Sequence, residues 1–329
     1  MTPPSVLAIT WWCHTLKAPW SWTPRVYLGV WIVIAATAIV YWQVMRRHAR
    51  SEGLTDADRR ACIWFGLGLG LFWVASDWPL ATLGGAYLLS AHVVIYMIYT
   101  FGAAPLLLLG IRPWMARRVI DRVHGWGLYR AVSIPWVAAV QINVVLVLTH
   151  LPPVVDTLRA SQPGSFALDA AWIVSALVAW LPVAGPFPGD RIKQPLLTCA
   201  YVFLAFQLFP MLPGSLITFA SVPVYRVYEL APRLGGWTPQ SDQQLAGALM
   251  AIGCTPVVWG LIFVIFVRES EKSRQAGRTP PLPADTVPVP RDGSAVRPAP
   301  RPDRIDDQVD AQDAQVPVTV RWVGDATKP

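Results

Sequence analysis

Long runs of apolar residues, almost free of charge, constrain this chain more than any other feature. VYLGVWIVIAATAIVYWQVM (26–45) opens the series. Others follow at roughly 61–80, 84–108, 132–150, 167–185, 195–220 and 243–267. A helix needs about 20 such residues to cross the hydrocarbon core of a bilayer. Inside lipid a backbone must satisfy its own polar groups, which leaves helices or closed barrels. A barrel would show alternating segments of about ten residues, and these runs do not alternate. The sequence therefore predicts an all-α integral membrane protein with a bundle of about seven transmembrane helices. Pro105 is expected to kink or end the third span.

Charge supports the same division. Only 14% of residues are charged, against 54% hydrophobic, where soluble domains average about 25% charged. The formal net charge of +7 does not point to nucleic acid, because the basic residues cluster between apolar runs as orientation signals do. Arg46, Arg47, Arg50, Arg59 and Arg60 follow the first span, and Arg112, Arg117, Arg118, Arg122 and Arg130 follow the third. Arg191 and Lys193 follow the fifth, and Arg268, Lys272, Arg274 and Arg278 follow the seventh. The alternate loops are poorer, with none from Asp77 to Gly84, Arg159 alone after the fourth span, and Arg226 and Arg233 after the sixth. Basic loops stay in the cytoplasm, so the N-terminus is expected outside and the C-terminus inside.

The chain divides into three parts on this reading. Residues 1–25 lack a basic leader and a small-residue cleavage site, and are read as a Trp-rich interfacial segment. Residues 26–267 form the membrane domain. Residues 268–329 are rich in Pro, Asp and Arg and are expected to be a disordered cytoplasmic tail, with VPVTVRWV as a segment able to add as a strand to a partner. Cys13, Cys62, Cys199 and Cys254 form no C-x-x-C pair and read as packing residues. There is no phosphate-binding loop, nucleophile–base motif or H-E-x-x-H, so no enzyme is expected.

Polar residues within spans are costly, and each is a functional candidate. The expected topology gathers five of them towards the outer leaflet: Asp77, His92, His150, Asp169 and Asp242. Asp242 also suits an N-cap of its own helix, and Asp169 a first-turn acid. Tyr96 shares a helical face with His92, whereas Met97 lies about 140° round and should face elsewhere.

Three stretches resemble the polytopic CtaG-like family of cytochrome c oxidase assembly proteins. They are SAHVVIYMIYTFGAAPLLLLGIRPW (90–114), with its His-bearing helix and Pro105–Gly110 signature, THLPPVVDTL (149–158), and PVYRVYELAPRLGGWTPQSDQQLAGALM (223–250). The last contains the most specific element, Asp242-Gln243-Gln244 and Gly247. The resemblance covers roughly residues 20–267. It implies a multi-pass protein of the bacterial inner membrane that works with cytochrome c oxidase subunits and membrane lipid, and helps supply copper from the outer side. His92 and His150 are the metal candidates it points to, with Asp77, Tyr96, Asp169, Asp242 and Gln243 as the surrounding polar cluster. Tyr96 stands where the family carries a second histidine, and Asp169 lies in a stretch where the family has histidines. A proton-coupled or small-solute transporter, and a metal-free scaffold for oxidase assembly, are the competing readings.

Overall fold

The computed structural model describes residues 10–278. The described residues form helices, with one isolated bridge between Thr10 and Tyr27. The expected seven-span bundle appears as five helices long and apolar enough to cross a membrane, or up to seven if two bent pairs each count as one span. The five are α1 (Leu28–Glu52), α4 (Leu89–Leu109), α9 (Gln162–Ala184), α10 (Pro195–Phe219), and the stretch Pro239–Lys272. That last stretch consists of α12 (Pro239–Ile252) and most of α13 (Thr255–Arg278). One bent pair joins α2 (Asp56–Ser76) to α3 (Leu80–Ala86) at 46°. The other joins α6 (Trp126–Val132) to α7 (Pro135–Thr149) at 78°. Shorter helices are α5 (Pro113–Arg122), α8 (Pro152–Arg159) and α11 (Arg226–Glu229).

The apolar surface of these helices faces two ways. One set packs inward as a core built on Phe72, Val93, Tyr96, Tyr99, Leu146, Leu168, Trp172 and Met250. The other remains uncovered. On α1 only Gly29, Val30 and Met45 are buried, while Trp31, Ile32, Ile39 and Val40 are exposed. Phe263 and Phe266 on α13 are exposed as well. In water such a surface would far exceed the apolar patches of soluble monomers.

Several boundaries differ from the sequence reading. The third span starts at Leu89, not at residue 84, because Leu88 is extended and separates α3 from α4. Pro105 neither ends nor breaks α4. A π-helical turn, Ile98–Ala103, precedes it, and this widened turn accommodates the ring where an α-turn would clash with the carbonyl four residues back. α10 repeats the device, with a π-turn at Leu204–Leu208 just before Pro210. At the other end of the chain, α13 continues through Arg278, past the compositional boundary at 268. The rest of the tail, including VPVTVRWV, lies outside the described residues.

The N-terminal segment is more than an interfacial strip. Trp12 and Cys13 are buried against Tyr27, Val30 and Ala81. The Cys13 thiol donates to the Ala81 carbonyl at 3.0 Å, and burial pushes its pKa up to about 11.

Candidate metal centre

His92 lies in the first turn of α4, and His150 is the residue that ends α7. Both are buried, at 0% and 5% exposure. Their rings meet edge to face, with centroids 5.6 Å apart and planes at 86°. Trp172 of α9 walls both, edge-on to His92 at 4.8 Å and stacked on His150 at 5.5 Å. Tyr96, one turn beyond His92, packs against His150 at 5.3 Å.

The hydrogen bonds fix the His150 tautomer. His150 Nδ1 lies 2.9 Å from the Leu146 carbonyl, which only accepts, so Nδ1 carries the proton. The phenol of Tyr228 donates to the Gly84 carbonyl at 2.6 Å, spending its one proton there. Its oxygen lies 2.8 Å from His92 Nδ1, and Arg159 Nε donates to the same nitrogen at 3.3 Å. The Nε2 of each ring is buried with no partner, and that of His150 carries a lone pair. Metal-binding histidines have the His150 signature, with the outer nitrogen donating to a carbonyl and the inner one free.

An ion pair flanks the histidines. Arg159 Nη2 and Asp169 Oδ1 are 2.9 Å apart, with side-chain exposures of 2% and 7%. Trp12 Nε1 donates to the other carboxylate oxygen at 2.8 Å. Arg159 also lies over the Trp172 ring at 5.4 Å. Burial works against the Arg159 charge, and Asp169, Tyr228 and Cys13 together more than offset it, so the guanidinium pKa is raised. Asp169 is thus committed to Arg159 and Trp12, and this pairing corrects its reading as a helix-dipole acid. Through Arg159, the structure brings Asp169 together with His92 and His150.

The remaining candidates make their contacts elsewhere, and Asp77 Oδ1 is buried with no partner. Asp77 ends α2 and accepts from Trp73 Nε1 at 3.1 Å, within its own helix. Asp242 does not cap its own helix, because Thr238 and Ser241 form that capping box. It caps α4 instead. Its carboxylate accepts from Leu89 N at 2.6 Å, Ser90 N at 3.2 Å and Ser90 Oγ at 2.5 Å. These amides are among the orphan donors that open the helix carrying His92. Gln243 accepts from Val224 N at 2.7 Å and donates to the Val222 carbonyl at 3.1 Å. It thereby fixes the entry to Tyr225 and Tyr228.

Sequence reasoning missed Arg159, Tyr228 and Trp172. Arg159 had a signal, as the one basic residue in the connection after the fourth span, ten positions before Asp169. Tyr228 and Trp172 had none, because their roles arise from contacts across the bundle.

Two imidazoles with unpartnered Nε2 atoms suit a soft, low-coordinate ion such as copper(I) better than zinc, which takes four ligands. Among the described residues, no group of three or more His, Cys, Asp or Glu can hold a metal. No curated protein and no solved structure matches the chain. A family model for cytochrome c oxidase caa3 assembly factors does match, over residues 39–272, and the chain belongs to that family.

Proposed function

We propose that this protein is a multi-pass assembly factor of the bacterial plasma membrane that holds copper(I) on His92 and His150 and passes it to cytochrome c oxidase from the outer side. It performs no catalysis on this reading, and copper is cargo. The observation that carries the proposal is the pair of buried, unpartnered Nε2 atoms on adjoining rings. The family contributes the oxidase as partner. Leu146 and Tyr228 hold each ring with Nε2 unpartnered, and Trp172 and Tyr96 exclude water from the histidines. Asp169 balances the Arg159 charge beside His92, so a cation entering there meets a neutral ion pair.

The test is a strain carrying H92A and H150A together. Oxidase copper content and activity are expected to fall at least tenfold while this protein stays in the membrane at normal abundance. Normal oxidase copper in that strain would overturn the copper role. If the oxidase stayed copper-replete but still required the protein, the metal-free scaffold would stand in its place. The exposed apolar belts of α1 and α13 support the membrane location, and the basic loops support an outside N-terminus.

A further inference from the structure

A set of sulfur side chains lies next to the histidines, and the proposed role does not use it. Met97, Met250 and Cys254 line one small cavity, together with Tyr96, Phe101 and Phe206. The space holds about one water-sized sphere. Met250 and Cys254 are each 3% exposed. Three irregularities of the helices converge there. Met97 borders the π-turn of α4, which contains Phe101. Phe206 belongs to the π-turn of α10. Cys254 sits in the break between α12 and α13. Breaks in the regular helical ladder are costly in an apolar medium, and π-turns are frequent at functional sites.

The chemistry of the wall is specific. Two thioethers and a thiol, with aromatic rings and no carboxylate, form a soft donor set, which selects copper(I) over hard or borderline ions. The Cys254 thiol donates to Gln207 Oε1 at 3.5 Å, and Gln207 Nε2 donates to the Ala251 carbonyl at 3.3 Å, so the sulfur is held by the π-turn of α10. Gly253 keeps the break compact. A Cβ there would meet the Leu249 carbonyl oxygen first, and then the Met97 methyl carbon at 3.0 Å. Tyr96 is a wall of this cavity and also packs on His150.

We propose that Met97, Met250 and Cys254 form a second, sulfur-based copper(I) site within the bundle, separated from the histidine pair by Tyr96. Binding forms a bond from the metal to the Cys254 sulfur and releases the thiol proton to solvent. The resulting thiolate–copper(I) unit is neutral, as an apolar interior requires. The site does not depend on the histidine reading, because its ligands are different.

The test uses the full-length protein in detergent, loaded anaerobically with one equivalent of copper(I), and X-ray absorption at the copper edge. Sulfur scatterers around copper are expected in the H92A/H150A variant, which isolates this site from the histidine pair. C254S is expected to weaken copper(I) affinity at least tenfold in competition with a chromophoric chelator. M97L/M250L, which keeps side-chain volume, is expected to lower the sulfur coordination number. Copper bound only to nitrogen or oxygen in wild type and in H92A/H150A would overturn the proposal. So would sulfur coordination unchanged in C254S, which would trace to Cys13, Cys62 or Cys199.

Discussion

At the scale of single residues, the polar side chains divide by what they stabilise. Asp242 serves the backbone of another helix. Its three accepted bonds satisfy donors that would otherwise be buried without partners. D242A is expected to destabilise the protein by about 2 kcal/mol, as caps of this kind do, read as a lowered unfolding temperature in detergent. An unchanged transition would show that α4 needs no such cap. Arg159 and Asp169 serve each other. R159M leaves a buried carboxylate unpaired, which typically costs about 3–5 kcal/mol. Adding D169L removes the orphaned charge, so the double variant is expected to be more stable than R159M alone. A double variant whose loss equals the sum of the two single losses would mean that the two charges act independently.

At the scale of elements, one short motif organises three contacts. Asp242 fixes the start of α4, Gln243 fixes residues 222–224, and Gly247 lets α12 approach α10. A Cβ on Gly247 would lie 2.5 Å from Thr218 N and 2.6 Å from the Gly214 carbonyl, both backbone atoms that cannot yield. Small residues commonly allow such close crossings in membrane bundles. G247A is therefore expected to lower the folded fraction severalfold in a detergent-stability assay. Gly70, where an added Cβ would meet nothing within 4 Å, is the control, and G70A is expected to be neutral. Equal behaviour of the two variants would refute a packing role for Gly247.

At the scale of the whole molecule, the two ends of the bundle differ in what they hold. One end brings together His92, His150 and the Arg159–Asp169 pair. The other holds Arg112 against Asp58 at 2.9 Å, among the arginines that follow α1 and α4. The charge pattern predicts that this second end is cytoplasmic. A reporter active only in the cytoplasm is expected to work when fused after Arg278, and one active only outside is expected to work before Thr10. The reverse result would invert the bundle and place the histidines on the cytoplasmic side.

Helical class, the long apolar runs and the grouping of His92 with His150 could all be read from the chain, because they follow from run length and charge placement. The placement of Met97 off the His92 face was equally legible, since helical periodicity fixes it. The D-Q-Q-x-x-G element announced its importance but not its work. Capping of α4 by Asp242 joins residues more than 150 positions apart, and no local pattern encodes such a contact. The same limit hid Tyr228, Trp172 and the sulfur cavity. Burial in lipid depends on local composition, which a sequence states directly. Tautomers, ion pairing and orphaned nitrogens depend on which side chains meet across the bundle, and only the tertiary structure decided that.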